Sequence, residues 1–173
     1  MLEKWGFQQP KLETKLSEPS ASIFEQLQTL LCFQTAKTIG AYIATDTEID
    51  LLPYLQNNLP LSFPRFKNPY YEYAQINALT QLVQGKFGIL EPNKHCPIAT
   101  HLEILLIPGV RFDKQGHRHG HGHGYYDRLL EHETGIKIGI CYDHQIETQP
   151  LKKQPHDIPM DIVITPTHMR VIN

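Results

Sequence analysis

"LEILLIPGVRFDKQGHRHGHGHGYYDRLL", residues 102–130, is the stretch whose reading decides the fold. Its first seven residues, 102–108, are apolar but for Glu103, a run of the kind found in a strand covered on both faces. From Tyr125 onward "YYDRLLEHE" reads as a helix. Between the two lie glycines 116, 120, 122 and 124, alternating with His117, His119, His121 and His123 around Arg118. A buried strand that feeds a helix through a glycine loop is the unit of a mostly parallel α/β sheet. Its loop falls at the carboxyl end of the strand, where such sheets bind ligands.

The rest of the chain extends this alternation. "TIGAYIA" (38–44), "KIGICY" (137–142) and "DIVIT" (161–165) are short branched-residue runs that read as further buried strands. "LSFPRF" (61–66), "YYEYAQI" (70–76) and "GKFGILEP" (85–92) read as strands with edges and bends at Pro64 and Pro69. Ile23, Phe24, Leu27, Leu30, Leu31 and Ala36 recur at spacings of three and four, which predicts a helix capped by Ser20 or Ser22. "DTEIDLLPYLQNN" (46–58) is amphipathic, and Pro53 either interrupts a helix there or opens it late. Residues 1–19 lack a sustained period and contain Pro10 and Pro19, so they read as an N-terminal arm, with 20–173 forming a single α/β domain.

Composition narrows the functional classes. A folded chain of this size, 173 residues, buries about 70% of its unfolded surface, enough for one core. With 16 basic against 18 acidic residues the net charge is -2, and no Lys/Arg stripe interleaves with aromatics, which argues against nucleic acid as a partner. No apolar run approaches the ~18 residues of a membrane span, and the polar, proline-broken start is unlike a signal peptide, so the expectation is a cytosolic protein away from membranes. Cys32, Cys96 and Cys141 are widely spaced and odd in number, which fits reduced thiols.

The loop carries the chemistry. Closely approaching backbone N–H groups ahead of a helix start make a phosphate site. The spacing is neither the Walker pattern nor GxGxxG, so the glycines need their context. Arg118 has the forked donors that suit phosphate oxygens, and Asp127 suits a hard cation such as magnesium. A nucleoside triphosphate satisfies glycines, arginine and aspartate together. The plainer alternative is a tight turn, a solvated Arg118, and an Asp127 that complements the helix dipole. The histidines admit three roles: chelation of zinc, nickel or copper, filling of positions between obligatory glycines, or extra donors to a polyphosphate. Closed zinc sites draw ligands from separate turns or one helix face, and a single flexible tract must order itself first, which disfavours a dedicated metal site.

At "IPGVRFDKQGHRHGHGHGYYDRLL" the chain resembles the 5-formyltetrahydrofolate cyclo-ligases, also called methenyltetrahydrofolate synthetases. The resemblance extends in order to "AYIATDTEIDLLPYL", "FPRF", "GKFGILEP" and "PHDIPMDIVIT", over about residues 21–166. It implies a three-layer α/β/α fold of the type shared with sugar-phosphate isomerases and CoA transferases. The activity it implies is ATP-dependent closure of 5-formyltetrahydrofolate to 5,10-methenyltetrahydrofolate, by a monomer using magnesium, with ATP as co-substrate. It also implies site residues. Arg118 and the loop His119, Gly120, His121, Gly122, His123, Gly124, Tyr125 and Tyr126 match the ATP-phosphate cradle. Asp127 and Asp161 match the magnesium carboxylates, and Ile43 and Glu48 fall where the family holds the pterin. The backbone of 121–125 with Tyr125 lies where folate and nucleotide meet, which makes Arg118, Tyr125 and Asp127 the catalytic set. Arg65 of "FPRF" matches a family arginine with either a ligand or an ion-pair role.

Two features depart from the family pattern. "MLEKWGFQQPKLETKLSEPS" lacks the basic K-x-x-L-R helix with which members begin, Lys4, Lys11 and Lys15 being off-pattern. Positions 119, 121 and 123 hold histidines where leucine and small or basic residues are usual. Two alternatives therefore stay open, a diverged folate- or nucleotide-binding paralogue with little catalysis and a His-rich metal-binding protein.

Overall fold

The computed structural model describes residues 17–58, 60–85, 88–120, 122, 124–152, 154–155 and 157–172. Its centre is a seven-stranded sheet in the order β12-β11-β9-β6-β1-β2-β3. The strands are β1 (Ile39–Gly40), β2 (Leu61–Lys67), β3 (Tyr70–Ile76), β6 (Ile104–Pro108), β9 (Ile136–Ile140), β11 (Ile162–Ile164) and β12 (Met169–Val171). The five inner strands run parallel, and an antiparallel strand closes each edge, β3 against β2 and β12 against β11.

The apolar run 104–108 explains why both faces need cover. Ile104 and Leu106 point into one core cluster with Ile23, Leu27, Phe33, Leu52 and Leu55. Leu105 and Ile107 point into the other, with Phe112, Leu130 and Met160. Each of these four side chains is at most 1% exposed, and burying one stabilises by about 1.5–3 kcal/mol.

The first face is covered by helices α1 (Glu18–Thr29), α2 (Leu31–Thr35) and α3 (Leu52–Leu55). The cap of α1 is Ser17, whose hydroxyl accepts from Ser20 N–H at 3.4 Å, rather than Ser20 or Ser22. Pro19 sits in the first turn, where its missing N–H costs nothing, so it opens this helix instead of ending an arm. Residues 1–16 lie outside the described residues. Periodicity continues past Leu30, but extended backbone there, φ -79° and ψ 120°, splits the segment into two helices. Pro53 opens α3, a single turn continued by a 3-10 turn over Gln56–Asn58.

The second face is thinner. Its cover is the six-residue helix α4 (Tyr125–Leu130) and a three-stranded sheet of β10 (Ile146–Glu147), β7 (Arg111–Asp113) and β8 (Arg118–His119). Two expected strands come out differently. Of 38–44, only Ile39–Gly40 is strand; the chain then leaves the sheet into a loop closed by Tyr42 Oη donating to Ile49 O. Of the described part of 85–92, only β5 (Leu90–Pro92) is strand, and it pairs back on β4 (Leu82–Gln84), with Gly85 N–H bonded to Ile89 O at 2.8 Å.

From β1 the chain moves outward to β2 and β3 on one side, and from β6 to β9, β11 and β12 on the other. The strand order thus reverses between β1 and β6, and in open parallel sheets the carboxyl ends at such a switch point are where ligands bind. No helix among the described residues is long and apolar enough to cross a membrane.

Candidate active site

Two loops follow these carboxyl ends. The one after β1 carries Ile43 and Glu48, both half-buried, with Ile43 packed on the first core cluster. A backbone hydrogen bond from Thr45 N–H to Glu48 Oε2, 2.9 Å, holds the carboxylate in place. The loop after β6 descends as β7, turns at residues 114–117, and returns as β8 beside its own start, Val110 N–H bonding His119 O at 2.8 Å. Arg118 is thereby brought back to the carboxyl end of β6.

The turn is organised by Asp113, whose side chain is fully buried. Its Oδ1 accepts from Gln115 and His117 N–H, both 2.9 Å, and its Oδ2 accepts from Leu151 N–H at 2.8 Å and lies 2.9 Å from His117 Nδ1. Burial alone would raise this carboxyl's pKa. The hydrogen bonds from Leu151, the His117 ring, His117 N–H and Gln115 outweigh it and hold the group below its ordinary value. Gln145 tethers the start of the same loop, its Nε2 donating to Gly109 O and Val110 O at 3.1 and 3.0 Å.

Arg118 is only 6% exposed. Its Nη2 reaches Asp127 Oδ2 at 3.4 Å, and its guanidinium lies 5.1 Å from the centroid of the Tyr126 ring. Gly120 is required here by close approach, because a Cβ on it would stand 2.5 Å from Arg118 Nη1. Gly122 and Gly124 have φ of 81° and 61°, and Gly124 leads directly into α4. Tyr125, first in α4, packs edge-on against Tyr71 of β3 at 5.1 Å, and Tyr71 against Phe66 at 5.2 Å. Burial, with the nearby Glu48 carboxylate second, raises the Tyr126 hydroxyl far above its usual pKa; the same two causes act on Tyr42. Glu48, Tyr126, Arg118 and Asp127 thus form one neighbourhood: a carboxylate, a protonated phenol, a buried cation and a second carboxylate.

Two expected residues stand apart or resolve differently. Asp161 does not join Asp127. It is exposed at the amino end of β11, and its Oδ2 accepts Lys137 N–H at 2.7 Å, which fixes the strand start at the opposite end of the parallel strands. Arg65 is an ion-pair residue: Nε donates to Glu72 Oε1 at 3.1 Å, and Nη1 donates to Asn93 O and Cys96 O at 2.8 and 2.9 Å. Among the loop histidines, His117 belongs to Asp113, His119 is exposed, and His121 and His123 lie outside the described residues. Among the described residues no three His, Cys, Asp or Glu side chains cluster as a metal site. The missing basic N-terminal motif also falls on residues outside those described. Asp113, Gln145, Tyr71 and Tyr73 went unread in the sequence, although Asp113 with Gly116 has the spacing of a side-chain-stabilised turn.

Residues 7–166 match the sequence model of the 5-formyltetrahydrofolate cyclo-ligase family, which begins earlier than the motifs at about residue 21. The 5-formyltetrahydrofolate cyclo-ligase of Haemophilus influenzae is 31% identical, over 92% of this chain and 88% of that protein. The Saccharomyces cerevisiae enzyme of the same name is 36% identical over 86% of this chain and 85% of its own. Among solved structures, the 5,10-methenyltetrahydrofolate synthetase of Aquifex aeolicus superposes with a TM-score of 0.78 at 30% identity, covering 88% of this chain and 80% of that one.

Proposed function

The chain belongs to the 5-formyltetrahydrofolate cyclo-ligase family, and we propose that it closes 5-formyltetrahydrofolate to 5,10-methenyltetrahydrofolate at the carboxyl ends of β1 and β6, converting ATP to ADP and phosphate. The observation that carries the reading is the buried Arg118–Asp127 pair beside the loop of Glu48, a cation and a carboxylate ready to divide a polyphosphate and its counter-ion.

In this reading the formyl oxygen attacks the γ-phosphorus, forming an O–P bond as the bond to ADP breaks. N10 of the folate then attacks the activated carbon and loses its proton, and phosphate leaves with the former formyl oxygen. Little covalent work falls to side chains, so alignment and charge neutralisation dominate. Arg118 and the backbone of 119–126 hold the phosphates, and Tyr125 lies where the two substrates meet. Glu48 accepts hydrogen bonds from the pterin's amino edge, with Ile43 against its ring. A magnesium ion would supply charge neutralisation at the phosphates, and in this reading Asp127, beside Arg118, would hold it. Asp161 is left to its Lys137 contact. The reading treats the protein as a cytosolic monomer acting on these small molecules.

Purified protein given 5-formyltetrahydrofolate, magnesium and ATP should develop methenyltetrahydrofolate absorbance with matching release of ADP. The departure at the N-terminus favours one second reading, a binder with little turnover. That reading predicts calorimetric binding of both ligands and no absorbance change.

A further inference from the structure

Two polar atoms behind the phosphate loop are buried without a hydrogen-bond partner among the described residues: Arg118 Nε and the hydroxyl of Tyr73. Tyr73 lies in β3 and is 2% exposed, inside the second core cluster, against which Tyr126 also packs. Its ring lies over β1 at Gly40, where an added Cβ would stand 3.1 Å from Tyr73 Cε1, so the ring has its place because that strand residue has no side chain. A buried donor or acceptor left unpaired costs about 1–3 kcal/mol, and core positions that need only an aromatic ring are served by phenylalanine without that cost. The hydroxyl is therefore a liability in the ligand-free protein unless another state uses it.

The complementary need lies across a shared neighbour, since the Arg118 guanidinium stands 5.1 Å from the Tyr126 ring centroid and Tyr126 packs against the cluster that holds Tyr73. Arg118 Nε is a donor only, while a phenol oxygen both donates and accepts. Burial keeps the Tyr73 proton in place, raising its pKa well above the ordinary value, with Tyr126 and Glu133 adding to the effect and Arg118, close enough to act, opposing it. The guanidinium is at present drawn toward Asp127 by a contact of 3.4 Å, long for a charge-assisted hydrogen bond. A polyphosphate entering the loop offers Arg118 better acceptors and frees Asp127 for a cation.

We propose that Tyr73 is a positioning residue for Arg118, its hydroxyl accepting the Nε–H once the guanidinium has turned from Asp127 to a bound polyphosphate. The inference rests on the phosphate-cradle reading of Arg118 above. Tyr73 touches no substrate. It supplies the back wall that fixes the plane of the guanidinium, so that two nitrogens face the phosphate.

Tyr73→Phe tests this with two measurements that move in opposite directions. Thermal unfolding of the ligand-free variant should occur at the parent's temperature or above it, since an unpaired hydroxyl is removed. Calorimetric titration with ATP and magnesium should show affinity about tenfold weaker, the scale of one hydrogen bond to a charged group, with 5-formyltetrahydrofolate affinity unchanged. In an Arg118→Lys background, which has no Nε–H, Tyr73→Phe should cost nothing further. Unchanged ATP affinity in Tyr73→Phe, or an equal loss in the lysine background, overturns the proposal. Arg118→Ala separates the two layers of argument: intact ATP affinity there defeats the cradle reading itself, whereas a loss there beside a silent Tyr73→Phe defeats only the role of Tyr73.

Discussion

Asp113→Asn perturbs the phosphate loop without touching any residue assigned to a ligand. The carboxylate is fully buried and meets four donor positions, two at each oxygen. An amide keeps the volume but can accept at one oxygen only. In either orientation two of the four contacts are forfeited, and an NH2 group is set against donors. Two hydrogen bonds to a charged group at about 1.5 kcal/mol each, plus a buried N–H left unpaired at about 1–3 kcal/mol, give a loss of roughly 4–6 kcal/mol. In a chain of this length that corresponds to a fall of roughly 10 °C in Tm. Urea unfolding at neutral pH measures it directly. The pH dependence has a fixed sign. The folded pKa lies below the ordinary carboxylate value near ~3.9, so Asp113 contributes its full stability above that value and loses it as pH falls through the folded value. The gap between parent and variant should therefore narrow only below about pH 4. A variant within about 1 kcal/mol of the parent at neutral pH would refute the idea that Asp113 organises the turn.

Asp127→Asn should lower kcat by roughly 100-fold, the usual size of removing one preorganised charge at a transferring group, while folate affinity holds; equal turnover at saturating magnesium would remove Asp127 from the metal. Glu48→Gln should weaken 5-formyltetrahydrofolate binding about tenfold and leave ATP affinity intact, and calorimetry with each ligand decides it. Burial first, and Asp143 second, push the Cys141 thiol up to about 12, and Cys96 is also buried, so a thiol reagent on the native protein should label Cys32 alone quickly. Rapid labelling of all three would contradict the packing of both cores. Removing transition metals with a chelator and restoring magnesium should return full activity; a requirement for added zinc or nickel would revive a metal role for the loop histidines.

The central parallel strands were legible because burial on both faces leaves an unambiguous trace. Residues 104–108 alternate between two cores yet are apolar throughout, and the run therefore marks a strand without any period. β3 was readable to its ends, Tyr70–Ile76, since the proline bend and polar residues bound it. Boundaries failed where tertiary contacts rather than local pattern decide. "TIGAYIA" is largely apolar along its length, but the strand ends at Gly40, Ala41 N–H makes a last bond to Ser62 O at 2.7 Å, and the residues beyond are taken up by the site loop. Pro19 fits both a helix breaker and a first-turn residue, and the choice rests on Ser17 being free to cap. The small sheet β10-β7-β8 had no sequence signal, because two of its strands are two residues long.

The candidate site divides along the same line. Arg118, Tyr125, Tyr126 and Asp127 are neighbours in the chain, and the loop's return brings Arg118 to Asp127, so their grouping follows from a local motif. Glu48 comes from another strand but sits at the same topological switch, and its influence on Tyr126 ties it to the loop. Asp161 shows that order along the chain does not fix place in the fold: it lies at the amino end of β11, apart from Asp127. Asp161 is the first residue of the "DIVIT" strand, and in parallel sheets it is the carboxyl ends that carry the ligand. Tyr73 shows the converse. Alternation along β3 marks it as an inward core residue, indistinguishable in sequence from a phenylalanine. Only an unpaired hydroxyl and an unpaired arginine nitrogen that share Tyr126 as a neighbour separate a packing residue from one that serves the site.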